Sequence, residues 1–160
     1  MRTPIACVCL ISALAGAACG GRAAGDQFDQ ADRQNIDKVT QDLITTYNAK
    51  DAAKVAALFS ENGAVMPPNS PTIRGIANVR AYYEKRFAQG ASDLKLEVGD
   101  VIGVGTLAYV AGDYWLNMAP PGGTVRRDRG KFLFVMRELQ GKWQLERLMF
   151  SSDFAAEPTS

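Results

Sequence analysis

There is no histidine in the 160 residues of this chain. That removes the commonest general base, the commonest transition-metal ligand and any Ser-His or Cys-His dyad. Cysteine is confined to Cys7, Cys9 and Cys19, so no disulfide is possible in the rest of the chain. No Gly-rich phosphate loop, Cys-x-x-Cys pair or metal-ligand cluster is present, and no cofactor is expected. Charge of one sign is not in excess: 18 Lys and Arg face 17 Asp and Glu, for a net charge of +1. This gives no electrostatic case for a nucleic-acid partner. The one apolar run, Ile5 to Ala18, is about 14 residues, short of the ~20 that a membrane-spanning helix needs.

What is present is the make-up of one soluble globular domain, with 47% apolar and 22% charged residues. Residues 1–18, with Arg2 ahead of the apolar run, read as an export signal. Cys19 follows Leu14-Ala15-Gly16-Ala17-Ala18, which resembles a bacterial lipobox, although Leu14 sits five places upstream of the cysteine and not three. Lipidation at Cys19 would make the mature protein periplasmic and anchored, touching the membrane only through its lipid. A plain secretory signal, cut after Ala17, is the alternative. Residues 19–29 read as a flexible tether and residues 155–160 as a disordered tail.

The remainder, 30–154, divides by period. Ile36, Val39, Leu43 and Tyr47 fall at helical spacing, predicting a helix over 29–49. Asp51 is an N-cap for a second helix reaching Phe59. Asn62-Gly63 signals a turn, residues 64–66 a short strand, and Pro67-Pro68 its stop. A strand at Ile73 precedes a third helix over 76–88, with Ile76, Val79, Tyr83 and Phe87 in one stripe. After Gly90 the period becomes two. Strands are predicted from Leu94 past a Gly99 bulge to Val104, then over 106–118, 124–139 and 142–153, with a tight hairpin at Gln140-Gly141. Helices first and long antiparallel strands last make an α+β domain.

The segment from Ala56 to Phe87 (ALFSENGAVMPPNSPTIRGIANVRAYYEKRF) resembles the SnoaL-like and ketosteroid-isomerase-like group of the nuclear transport factor 2 superfamily, and looks closest to its domain-of-unknown-function family 4440. The resemblance spans roughly Gln30 to Asp153. It implies three helices packed on a strongly curved, mostly antiparallel sheet, forming a cone-shaped barrel with a pocket, and a homodimer as the common assembly.

Strand alternation sorts the side chains into sets without saying which set faces inward. The resemblance supplies that choice. It places Tyr114, Leu116, Met118, Phe132, Phe134, Leu148 and Phe150 on the concave face, with Tyr47, Met66 and Tyr83 lining the same space. This composition suits a small apolar or aromatic ligand. The alternative is that the same residues fill a core. Leu133, Val135, Leu145 and Met149 would form the convex face, suited to dimerisation.

Steroid isomerases of the superfamily use a carboxylate base, a tyrosine and a neutral carboxylic acid. The resemblance sets Tyr47 at the tyrosine position, Pro67 at the base and Phe134 at the acid. Proline and phenylalanine cannot move a proton, which argues against that reaction. A cyclase, isomerase or hydratase would need Glu146 as base with Tyr47 or Tyr83 as donor. Glu146 and Asp128 are the acids on the strands expected to be concave. The expected function is therefore ligand binding, with such an enzyme, or a dimeric interaction module with a filled pocket, as alternatives.

Overall fold

The computed structural model describes residues 28–154. The segments read as export signal and tail, most of the expected tether, and Cys19 lie outside the described residues. Phe28 and Asp29, expected to belong to the tether, are part of the folded unit. Asp29 caps helix α1 (Gln30–Asn48): it accepts from the Asp32 N–H at 3.0 Å while Asp32 accepts from the Asp29 N–H at 3.0 Å. Such a reciprocal pair satisfies two of the donors a helix start leaves free. Asp32 is itself buried, and its second oxygen takes the Trp143 indole N–H at 3.1 Å. The Phe28 ring stands edge-on to the same indole.

Ile36, Thr40, Leu43 and Tyr47 form the buried stripe of α1, the i, i+4, i+7 spacing of one helical face. Helix α2 (Ala52–Ala57) is capped by Asp51, which accepts from the Lys54 N–H at 3.0 Å. It is shorter than expected, because Phe59 already belongs to strand β1 (Phe59–Met66). Asn62-Gly63 is accordingly no turn between elements. It lies inside β1, where the register shifts between Phe59 and Ala64. Strand β2 (Ile73–Arg74) and helix α3 (Ile76–Ala88) follow. In α3, Val79 and Tyr83 are buried whereas Ile76 is exposed.

Strands β3 (Ala91–Val104), β4 (Leu107–Met118), β5 (Arg126–Leu139) and β6 (Lys142–Ser152) complete an open six-stranded sheet of order β2-β1-β6-β5-β4-β3. All neighbours are antiparallel except β1 and β6. The fold is α+β, and the sheet does not close into a barrel. β3 bulges at Gly99, between Val98 and Asp100. Gln140 and Gly141 both have positive φ, as a two-residue hairpin requires.

Two interior glycines let the sheet curl around the helices. A Cβ at Gly112 would collide with the Glu97 carbonyl, and one at Gly130 with the Ser151 carbonyl. Each lies directly across from an aromatic residue, Gly112 from Phe132 and Gly130 from Tyr114. Glycine inside a strand marks such close backbone approach.

Strict alternation fails along β6. Leu148 pairs with Phe134 and Arg147 with Val135, but Leu145 pairs with Met136, leaving Glu146 as the extra residue of a bulge. A bulge shifts the inward set by one position. Trp143 and Leu145 therefore point into the core with Leu148. This corrects the expectation that Leu145 lies on the convex face, and it separates Glu146 from the concave set.

Candidate functional site

The concave face and helices line a partly open chamber of about 50 Å³. Leu43 and Tyr47 reach it from α1, and Tyr82, Tyr83 and Arg86 from α3. The strands add Leu94, Leu96, Tyr114, Leu116, Phe132, Phe134, Leu148 and Phe150. Eight of the ten residues expected in a pocket line it: Tyr47, Tyr83, Tyr114, Leu116, Phe132, Phe134, Leu148 and Phe150. Met66 does not; it sits on β1 beside Met149 of the parallel ladder. Met118 does not either, because it is the last residue of β4 and packs at the edge of the core.

The aromatic side chains brace one another. Tyr47 stands edge-on to Tyr83 with centroids 6.0 Å apart and to Phe87 at 5.0 Å. Tyr82 meets Tyr83 at 5.2 Å, and Phe132 meets Phe134 at 4.4 Å. Edge-on and offset ring pairs are the favoured geometries and add about 0.5–1.5 kcal/mol each beyond area burial.

Within this apolar wall a few polar atoms converge. The Tyr47 and Tyr82 hydroxyls are buried and make no hydrogen bond of acceptable geometry. Burial pushes both phenols up from their ordinary pKa, and it raises Tyr83 further. Arg86 lies beside Tyr47 and Tyr82, and its guanidinium stacks over the Phe150 ring, 5.3 Å from the centroid. Tyr114 donates to Asp128 Oδ2 at 3.1 Å, and Ser152 donates to Asp128 Oδ1 at 2.5 Å. Burial first, then the Asp128 charge, hold the Tyr114 phenol well above its usual value.

Tyr82, Arg86 and Phe150 have a second side. They also line an outer groove of about 660 Å³ that runs between α3 and the proline corner, with Pro67, Pro68, Ile73 and Lys85 among its other walls. The Arg86–Phe150 stack thus divides an inner chamber from an outer groove.

Glu146 is absent from the chamber lining. It takes the Ser60 hydroxyl at 2.7 Å, pairs with Arg147 at 3.0 Å and lies 3.8 Å from Arg137. The bulge turned it from the concave set, so it does not meet Tyr47 or Tyr83 in the chamber. Arg86 was not foreseen from sequence. The available signal was its spacing: it follows Tyr82 by four and Tyr83 by three, which puts it on the edge of their helical face. Among the described residues no His, Cys, Asp or Glu cluster could hold a metal ion.

A family model described as the SnoaL-like domain matches residues 40–145. No curated protein matches the chain. Among solved structures, a ketosteroid isomerase-like protein from Erwinia carotovora atroseptica is 21% identical with a TM-score of 0.72, covering 79% of this chain and 100% of that one. A conserved protein from Planctomyces limnophilus is 20% identical with a TM-score of 0.68, covering 78% and 99%. An NTF2-like protein with a cystatin-like fold from Novosphingobium aromaticivorans is 17% identical with a TM-score of 0.67, covering 79% and 84%. At these identities the likeness is one of fold.

Proposed function

Because the chain belongs to the SnoaL-like family, and its chamber joins an apolar wall to uncompensated hydroxyls, we propose that it binds a small aromatic or apolar molecule beneath the helices. The observation that carries this reading is the Tyr47 hydroxyl. Tyr47 is 4% exposed and its O–H meets no acceptor of hydrogen-bond geometry. Buried polar groups are paired in the great majority of cases, and a bound molecule supplies the missing partner here.

The size of the chamber sets how binding proceeds. A cavity of about 150 Å³ accepts benzene, and this one is a third of that. A ring-sized ligand enters by displacing the Arg86–Phe150 stack, which joins the chamber to the outer groove. Native mass spectrometry of protein purified from its source tests the reading. A retained small molecule, released on denaturation, supports it. A mass equal to that of the polypeptide, together with unchanged Tyr47 and Phe134 resonances on addition of toluene, indole or naphthalene, would sink it.

One observation favours catalysis as a second reading. Asp128 is held by the Tyr114 and Ser152 hydroxyls at the edge of the chamber, and a positioned carboxylate is a usable base. Turnover lost in Asp128→Asn but kept in Glu146→Gln would support it. Steroid isomerisation is not part of this proposal, because the resemblance sets Pro67 and Phe134 where that reaction needs its base and its acid.

Export with lipidation at Cys19, in a periplasmic setting, belongs to the same proposal. The intact mass of the exported protein, compared with Cys19→Ala, decides whether a lipid is attached. A homodimer through the convex face is also proposed. Ile102, Val104, Leu107 and Met149 are exposed there, and an apolar groove runs along Leu133 and Val135. Sedimentation of the wild type and of Val104→Lys separates dimer from monomer.

A further inference from the structure

We propose that the molecule held in this chamber carries a carboxylate, or a planar oxyanion of similar shape, that pairs with Arg86 while its apolar body packs among the rings. The inference rests on the chamber being a ligand site and specifies the chemistry of the ligand.

The donors and acceptors around Arg86 set what such a ligand must offer. Arginine only donates, and keeps its charge at any physiological pH. Whatever Arg86 gives to the Tyr47 oxygen, the Tyr47 O–H still has nothing to donate to. The Tyr82 O–H is in the same position, since its oxygen also lacks a partner. Arg86 can donate to the two phenol oxygens, but no group among the described residues takes the Tyr47 and Tyr82 O–H hydrogens, so donors outnumber acceptors in this space. The nearby acceptor, Asp128, already takes the hydrogens of Tyr114 and Ser152. Arg86 makes no ion pair with any described residue; its charge rests on the face of Phe150.

Charge on the approach agrees. Among the described residues, the lining of the outer groove contains Lys85 and Arg86 and no acid. A neutral hydrocarbon would leave the two phenol O–H groups without an acceptor and the guanidinium without a counter-ion. A cation would meet Arg86 directly. A carboxylate accepts two parallel hydrogen bonds from a guanidinium and has lone pairs left for the phenols. Displacing the Arg86–Phe150 stack, which a ring needs in order to enter, also frees the guanidinium to turn towards such an anion.

The test is a matched pair of probes, 3-phenylpropanoate and 3-phenylpropanamide, titrated into the full chain at neutral pH by calorimetry and by NMR. The expected result is that the carboxylate binds about tenfold or more tightly than the amide, about 1.4 kcal/mol. Arg86→Gln should bring the two to near equality, by weakening the carboxylate far more than the amide. Tyr47→Phe keeps the ring and removes one donor, and should weaken the carboxylate several-fold more than the amide; it also covers the case in which Arg86→Gln fails to fold. Equal binding of both probes to the wild type would overturn the oxyanion and leave the ligand site standing. Binding of neither, nor of toluene, indole or naphthalene, would overturn both.

Discussion

Asn48 pairs with the backbone of Leu94 on both sides of its carboxamide. The Leu94 N–H donates to Asn48 Oδ1 at 2.7 Å, and Asn48 Nδ2 donates to the Leu94 carbonyl at 3.0 Å. Leu94 lies where β3 slips register against β4, between Ser92 and Lys95. The last residue of α1 thus replaces the missing strand partner and fixes Leu94 as part of the chamber wall.

Removing that clasp leaves two partly buried backbone groups unpaired. An unmet buried donor or acceptor costs about 1–3 kcal/mol, so Asn48→Ala should lower stability by about 2 kcal/mol in urea titration. Asn48→Asp keeps the acceptor and loses the donor, and should fall between. An unchanged midpoint in both variants would show that the clasp contributes nothing.

Phe134 is almost fully buried at the centre of the chamber wall. Phe134→Ala should cost about 3–5 kcal/mol, the usual range for a core phenylalanine, and should enlarge the chamber. If the protein stays folded, neutral arenes such as toluene should bind it more tightly than the wild type, as read by saturation-transfer NMR. Weaker binding would place the ligand elsewhere.

The tyrosines predict an alkaline limit. Burial raises the phenols of Tyr47, Tyr82, Tyr83 and Tyr114, with the Asp128 charge adding to the last. Above the ordinary tyrosine pKa of about 10, the unfolded chain loses protons that the native state keeps. Stability contributed by this difference is whole below pH ~10 and is lost as pH rises through the native values. Tyrosinate absorbance of the folded protein should therefore lag behind that of protein in denaturant, and the urea midpoint should fall above pH ~10. Coincident titrations would refute the buried, neutral phenols.

Glu146 should behave as a structural residue. Its side chain is 16% exposed and holds Ser60 and Arg147. Glu146→Gln should reduce stability by about 1–2 kcal/mol, through a partly buried charge-assisted network, and leave probe affinity within about twofold. A tenfold loss of ligand affinity without unfolding would restore it to the site.

Much of this was legible in the sequence because it is local. The α1 stripe follows from 3.6-residue spacing, the Asp51 cap from its own side chain, and the β3 bulge from Gly99. The hidden parts depend on distant partners. The β6 bulge at Glu146 sits where β1, on the parallel side, also breaks register and brings Ser60 to the carboxylate; nothing in the β6 segment alone announces it. A helical arginine is ordinarily solvated, so nothing local marks Arg86 as a chamber residue. Its stack on Phe150 joins residues 64 apart in the chain, a relation that periodicity does not encode.

The bulge at Glu146 also puts the two halves of β6 out of phase. Trp143 and Leu145 keep one rhythm, Leu148 and Phe150 the other, and both reach the interior only because one supernumerary residue stands between them. Deleting Glu146 would not merely remove a carboxylate. It would exchange inside for outside along one half of the strand, offering water either the indole that locks Asp32 or the ring on which Arg86 rests.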